Sequence, residues 1–241
     1  MIHGGFKIGL LFGLCVLLGQ CCPCVPTAVK GDLTTKRVQV TWTPANQSAR
    51  TVAENEHVSV GVGDGIVVDA SGLAVLEFPD LLTVEIYRDS ALKVRQVPAQ
   101  SPLVALYLEL GSIFASTRPD AGSRLRVDTG TATVESLATE FLVTVNPHTN
   151  DTVVIVRVGE VQVTGAGQTI TVKGGEYTQV SAGEAPSPVT PFDISSFQER
   201  LKVIRDGRIM TPKLPDTKVT PTVAPAPTPG GDDDDDDNGD D

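Results

Sequence analysis

From about Thr51 onward, apolar residues occupy every second position in one short run after another. Ala74, Leu76 and Phe78 alternate with other residues, as do Leu82, Val84 and Ile86, and Leu92 and Val94. Val104, Leu106, Leu108 and Leu110 repeat the pattern, followed by Leu125 and Val127, then Phe141, Val143 and Val145. Val161 and Val163, and Ile170 and Val172, complete the series. A period of two puts such residues on one face of a half-buried strand. Turn residues separate the runs at short spacing, among them Gly63-Asp64-Gly65, Ser71-Gly72, Pro79-Asp80, Arg88-Asp89-Ser90, Asn146-Pro147-His148 and Gly165-Ala166-Gly167. These either accept a positive φ or hydrogen-bond their own backbone. The chain is therefore expected to be all-β, a single domain of many short strands built as a sandwich, barrel or short solenoid.

One helix is expected after the strands, over Asp193–Asp206. Phe197, Leu201 and Ile204 share a face at helical spacing, Ser196-Phe197-Gln198-Glu199 has the pattern of a capping box, and Gly207 stands where a helix stops. That face is expected to pack on the β domain. Beyond Lys213 the chain is rich in Pro and Thr and ends in a run of aspartates, which reads as a disordered linker and a solvated acidic tail.

Charge follows the same division. The net charge is −11, and Asp232–Asp237, Asp240 and Asp241 supply eight of the negative charges, which leaves the rest of the chain at −3. No cluster of Lys and Arg marks a nucleic-acid binder.

Near the start, Lys7 precedes an uncharged apolar run, Ile8–Gly19. This is the pattern of a secretory signal. Stretched to Ala28, it approaches the length that spans a bilayer, so a cleaved signal and an uncleaved anchor both fit. All four cysteines lie in this region, at 15, 21, 22 and 24, so no disulfide is expected in the folded body. Leu17-Leu18-Gly19-Gln20-Cys21 is similar to a lipobox except at Gln20, which makes Cys21 a candidate lipidation site. Cys21-Cys22-Pro23-Cys24 lacks the second ligand pair of a metal site.

The expected organisation is a signal peptide or anchor over 1–28, a polar juncture over 29–50 with one strand at Arg37–Thr43, and a β domain over 51–190. The helix follows over 191–207, and the linker and tail over 208–241. Catalytic chemistry finds little to work with. His57 and His148 have no second ligand or nucleophile at useful spacing, and His148 sits in a polar hairpin loop. Gly61-Val62-Gly63-Asp64-Gly65 lacks the lysine and the following helix of a phosphate loop and reads as a turn. No catalytic residue, metal or cofactor is expected. The acidic run could hold Ca²⁺ only loosely, because it lacks the alternating ligands of a formed loop.

Three pieces of the chain resemble the FecR family over roughly Glu56–Ala185. They are Ser71–Asp80, then Asp128–Val134 leading to Ala138-Thr139-Glu140-Phe141, and then Val158–Val163 followed by Gly175-Glu176. The resemblance singles out Gly72, Thr139, Phe141, Gly159 and Gly175 as family-motif turn positions. It departs from the family at Leu137-Ala138, where the family has Arg-Gly, so a glycine-dependent turn must be built differently or relaxed. The glycine usual after Asp80 is Leu81.

What the resemblance implies is an extracytoplasmic domain. The family's best-known members pass a signal from an outer-membrane iron-transport receptor to a cytoplasmic sigma factor. Only six residues precede Lys7, so the cytoplasmic anti-sigma segment is not expected here. The expected function is non-enzymatic recognition of a protein or envelope component in signalling. The partner would be an envelope or membrane protein, reached from a membrane-anchored or exported position in a bacterial envelope. The alternative is a structural cell-surface protein whose acidic tail contacts cations or the envelope.

Overall fold

The computed structural model describes residues 29–37, 40–98, 102–118, 122 and 124–206. The segment 1–28 with Cys21, the stop at Gly207, and the linker and acidic tail lie outside the described residues. No helix among the described residues is long and apolar enough to cross a membrane.

The strands, in chain order, are β1 (Gly31–Arg37), β2 (Val40–Thr43), β3 (Arg50–Val52), β4 (His57–Val60), β5 (Gly65–Val68), β6 (Leu73–Phe78), β7 (Leu82–Ile86), β8 (Ser90–Gln96) and β9 (Leu103–Thr117). They continue as β10 (Arg124–Asp128), β11 (Thr133–Leu137), β12 (Glu140–Val145), β13 (Thr152–Val158), β14 (Glu160–Gly165), β15 (Gln168–Lys173), β16 (Glu176–Val180) and β17 (Thr190–Pro191). One helix, α1 (Ser195–Asp206), follows. The architecture is all-β, as expected. It is an open sandwich and not a closed barrel.

Two sheets face each other. The first has the order β4-β1-β6-β7-β9-β12-β13-β16-β17. The second has the order β3-β2-β5-β8-β9-β10-β11-β14-β15. β9 stands at the middle of both. Its first half lies in the second sheet beside β8 and β10, and its second half lies in the first sheet beside β7 and β12. Only β9 and β10 pair in parallel among the described strands, because β9 crosses from the second sheet to the first before the chain returns to the second as β10, alongside the first half of β9. From there it proceeds by hairpins laid alternately on the two sheets: β10–β11, β12–β13, β14–β15, β16–β17. This is a sandwich wound in the manner of a flattened solenoid.

The alternation in the sequence builds the shared core. Leu76, Phe78, Val84, Ile86, Phe141, Val143, Val154 and Val156 point inward from the first sheet. Ile66, Leu92, Val94, Leu106, Leu108, Val127, Val134 and Val163 meet them from the second. Within β9 the phase of the alternation slips. Val104, Leu106 and Leu108 face the core before the crossing, and Ile113 and Ala115 after it. The slip occurs at Gly111, whose φ is +91°. A Cβ there would lie 2.5 Å from the Asp89 carbonyl oxygen and closer still to Ser90 Oγ. Ser90 closes the bend by accepting from the Ser112 amide (2.9 Å) and donating to its carbonyl (3.2 Å).

On the opposite edge of the sandwich, later crossings stack on one another. Thr139 N donates to Thr117 Oγ1 at 2.6 Å, and Gly174 N donates to Gly159 O at 2.8 Å. The Leu137-Ala138 departure proves to be no relaxation. Ala138 keeps a left-handed φ of +54°, so the turn survives with an alanine carrying the strain.

β13 is buried on both faces, as its continuous run Val153-Val154-Ile155-Val156 allows. Val154 and Val156 enter the shared core, while Val153 and Ile155 face out and are covered by α1. The helix seats Phe197 and Leu201 against Tyr87, Leu142, Val153, Ile155 and Tyr177 on the outer face of the first sheet. Phe197 packs against Phe114 at 5.8 Å and against Phe192 at 6.3 Å between ring centroids. Arg205 donates to Glu85 at 2.5 Å, which in turn accepts from the buried Tyr87 hydroxyl at 2.8 Å. Burial, and then the Glu85 carboxylate, push the Tyr87 phenol well above its ordinary pKa.

Two local expectations are corrected. Arg37–Thr43 is not one strand, because β1 and β2 lie in different sheets. The helix begins at Ser195, two residues later than expected, and Asp193 caps it. Asp193 Oδ1 accepts from the Ser195 amide at 2.9 Å and from its hydroxyl at 2.8 Å. These bonds hold its carboxyl below the ordinary carboxylate range. The Ser196 hydroxyl donates to the Asp193 carbonyl rather than serving as the cap of a box with Glu199. Asp193 supplies a charged acceptor for the Ser195 amide, so the helix starts before Ser196 could cap it.

The last segment closes one end of the sandwich. Ser187 N donates to Gln179 O and Thr178 Oγ1 donates to Ser187 O, each at 2.8 Å. A stretch containing Pro186, Pro188 and Pro191 is thereby laid along β16. Gly111→Ala should cost about 3 kcal/mol or more through strain and overlap, read as a lowered urea midpoint. Ala138→Gly should instead raise stability by about 0.5 kcal/mol, because relief of the left-handed strain slightly exceeds the added chain entropy. An unchanged midpoint for Gly111→Ala would contradict the crossing geometry.

Candidate binding surface

With α1 covering part of one outer face, the opposite outer face of the sandwich shows what the second sheet presents to solvent. On β9 the residues between the core positions are Leu103, Ala105, Tyr107 and Glu109. Parallel pairing sets Leu103 beside Arg124, Ala105 beside Arg126 and Tyr107 beside Asp128. On the other flank, Lys93 of β8 pairs with Tyr107 and Gln96 pairs with Ala105. The register shifts between Val94 and Gln96, leaving Arg95 as the extra residue of a β-bulge. Bulges re-aim side chains. Here the Arg95 guanidinium lies over the Tyr107 ring, 4.9 Å from its centroid.

Ala105 is small where its strand neighbours are large, so it floors a recess. Arg95, Gln96, Leu103, Tyr107, Arg126 and Asp128 complete the lining of this cleft of about 450 Å³. Arg126 is held by Asp128, with Nε to Oδ1 at 2.9 Å, and Thr133 Oγ1 donates to the same carboxylate oxygen at 2.8 Å. Arg124 reaches Glu135 at 3.7 Å. Arg95 has no carboxylate partner among the described residues; the ring beneath it supplies its contact. An arginine pre-set by a cation–π contact, opposite a second arginine across an apolar floor, suits a carboxylate or other planar anion.

The five motif positions serve the frame of this surface and do not line the cleft. Gly72 ends the turn into β6, donating its amide to Asp69 O at 2.9 Å. Thr139, Gly159 and Gly175 stand at the stacked crossings on one edge. Phe141 is not at a turn; it is fully buried in β12. Cys21 lies outside the described residues.

The histidines stand elsewhere. His57 lies on the outer face of the first sheet, with Nδ1 3.1 Å from Asp32 Oδ2 and 3.1 Å from Thr34 Oγ1. Both contacts use one ring nitrogen, so the group cannot pass a proton from the threonine to the aspartate through the ring. His148 is exposed in the β12–β13 loop, its amide donating to Asn146 Oδ1 at 2.9 Å. No group of three His, Cys, Asp or Glu among the described residues could hold a metal.

The glycine-rich turn at Gly61–Gly65 is organised by Asp64. Its buried carboxylate accepts from Trp42 Nε1 (3.1 Å), Ala45 N (2.8 Å) and Gly61 N (3.0 Å). It thereby pins the β2–β3 loop to the β4–β5 turn. Asp64→Asn turns one acceptor into a donor facing other donors. It should cost about 2 kcal/mol in thermal or urea unfolding, whereas a neutral outcome would show that one oxygen suffices.

The cleft residues escaped sequence reasoning for a definite reason. Alternation identifies the inward set on β9 and treats the outward set as surface. The available signal was that the outward set, Leu103, Ala105 and Tyr107, is itself apolar or aromatic. The Arg95 bulge leaves no trace in composition.

Comparisons with known proteins bear on this central region. Residues 64–162 match the family model described as FecR protein. No curated protein matches the chain. Two crystal structures, both described as a "putative anti-sigma factor" from Parabacteroides distasonis ATCC 8503, share the fold with a TM-score of 0.50 each at 20% sequence identity. The similarity covers 57% of this chain and 64% and 63% of theirs, so it spans less than two thirds of those proteins. At that identity the likeness speaks to the fold alone. The matched span runs from Asp64 into β14 and holds β9, the bulge and the cleft. By that match, residues 64–162 of this chain are similar to the FecR family.

Proposed function

We propose that the chain is a non-enzymatic, extracytoplasmic signalling module that recognises a protein or envelope component through the outer face of its second sheet. The observation that carries this reading is the contrast between the two outer faces. The apolar patch of one is covered by the chain's own helix. The other presents a recess flanked by Arg95 and Arg126, with an aromatic ring beside a small-residue floor. Arginine and tyrosine are the residue types that dominate recognition energetics when a partner desolvates them. The similarity to the FecR family and the likeness to structures described as anti-sigma factors support a regulatory role. The apolar run near the N-terminus supports export or anchoring to a membrane. A surface protein that makes its contacts through the acidic run alone remains the rival, because that run holds most of the net charge.

The test places a photo-crosslinking amino acid at Lys93, beside the cleft, and at Gln198, on the exposed side of α1, in living cells. Capture of one defined envelope protein from position 93, lost with Arg95→Glu and retained after deletion of Pro215–Asp241, is expected. Fractionation of the same cells should place the protein in the envelope. Capture that depends on Pro215–Asp241 and ignores Arg95→Glu would hand the contact to the tail and sink this reading.

A further inference from the structure

We propose that the acidic run Asp232–Asp237 of the same chain occupies the Arg95–Arg126 cleft, so that the binding face is masked in cis until a partner displaces it. The proposal rests on the reading of that face as a binding surface and adds its regulation.

Charge complementarity is the first argument. The cleft pairs an arginine with no carboxylate partner among the described residues with a second arginine across an alanine floor, and Lys93 and Arg124 extend the positive row on either side. Glu109, Asp128 and Glu135 share the face, but Asp128 and Glu135 are already paired with Arg126 and Arg124. The demand for an added carboxylate therefore centres on Arg95. The chain itself carries six consecutive aspartates. Bound as an extended segment, they present carboxylates alternately on the two sides of the backbone, so that every second aspartate faces the cleft.

Reach is the second argument. α1 ends at Asp206 on the outer face of the first sheet, and 25 residues separate it from Asp232. Fully extended, that length spans roughly 80 Å. The path around the sandwich edge to the other face is on the order of 40 Å, given sheets about 10 Å apart and strands of about 20 Å. The linker is thus long enough to allow docking with slack. Its tethering sets an effective concentration on the order of millimolar. Exposed ion pairs are individually weak and screened by salt, so the contact should be readily displaced. A displaceable mask needs that property.

Amide spectra of the full chain test this directly against a full-length variant in which Asp232–Asp237 are all replaced by Asn. In 20 mM NaCl the two spectra should differ at Lys93–Gln96, Leu103–Tyr107 and Arg124–Asp128. The differences should collapse in 0.5 M NaCl and be absent when both chains also carry Arg95→Glu. A synthetic peptide of residues 231–241, added to the neutralised variant, should restore the full-chain shifts, with affinity at least tenfold weaker on Arg95→Glu. Superimposable spectra at low salt overturn the proposal, as do differences centred on other basic residues or ones that survive Arg95→Glu. Peptide binding at the cleft without any difference between the two chains would assign the site to an acidic segment of another molecule and overturn masking in cis. Because the spectra need no partner, failure of the masking and failure of partner capture are read separately.

Discussion

At Gly111 the backbone passes through a left-handed conformation with Ser90 pressed against it, and a single strand thereby serves both sheets. Nine described strands line up in each layer, with β9 fifth in both orders. Strands before it add to one flank of each sheet and strands after it to the other. A side chain at that position would push Ser90 aside, break its bonds to Ser112 and uncouple the two halves of the core. The phase slip in the alternation falls at the same bend, where a shift of one residue turns the other set of side chains inward.

The two outer faces have different fates. On the first sheet, Leu142, Val153, Ile155 and Tyr177 make a patch too apolar to leave in water, and α1 covers it. A helix of 12 residues has little stability alone, so its order comes from that docking, from the Asp193 cap and from the Arg205–Glu85–Tyr87 chain at its far end. On the second sheet the outward residues are mostly Thr, Lys, Arg and Glu, which need no cover. The recess at Ala105 interrupts them where β-bulge and parallel pairing coincide.

Much of this architecture was legible in the sequence. The inward residues of β6, β7 and β12 are the ones that period-two alternation picked out, as are Val104, Leu106 and Leu108 of β9, but Leu110 is only half-buried and the inward Ile113 and Ala115 fall outside that alternation. The face of α1 follows from Phe197, Leu201 and Ile204. What stayed hidden depended on contacts distant in sequence. Nothing in Arg37–Thr43 shows that it divides between two sheets, since the pairings that separate the halves are distant in sequence: Arg37 lies opposite Leu73 of β6, while β2 joins β5 as well as the nearby β3. The cap shifted to Asp193 because the helix starts before a box at Ser196 could form, with the Ser195 amide taken by Asp193 Oδ1 and the Ser196 amide by the Asp193 carbonyl, and local pattern does not rank the two starts. Ala138 shows the limit of motif reading: the residue changed while the backbone conformation held. The cleft was least legible, because its lining comes from three strands and one extra residue in a ladder.

The proline-bearing stretch along β16 has a consequence for how the molecule behaves among its own copies. Stacked hairpins make a surface that can keep growing, since the last strand always offers a row of free amides and carbonyls to the next. In the first sheet that row is met by residues of the same chain, and prolines at 186, 188 and 191 have no amide with which to extend it. In the second sheet β15 ends the row with Thr169, Thr171 and Lys173 exposed, a short strand with a charge at its end. The same winding that lets a core be assembled from small units would otherwise let whole molecules polymerise edge to edge. The chain stops that growth with three prolines on one side and a lysine on the other.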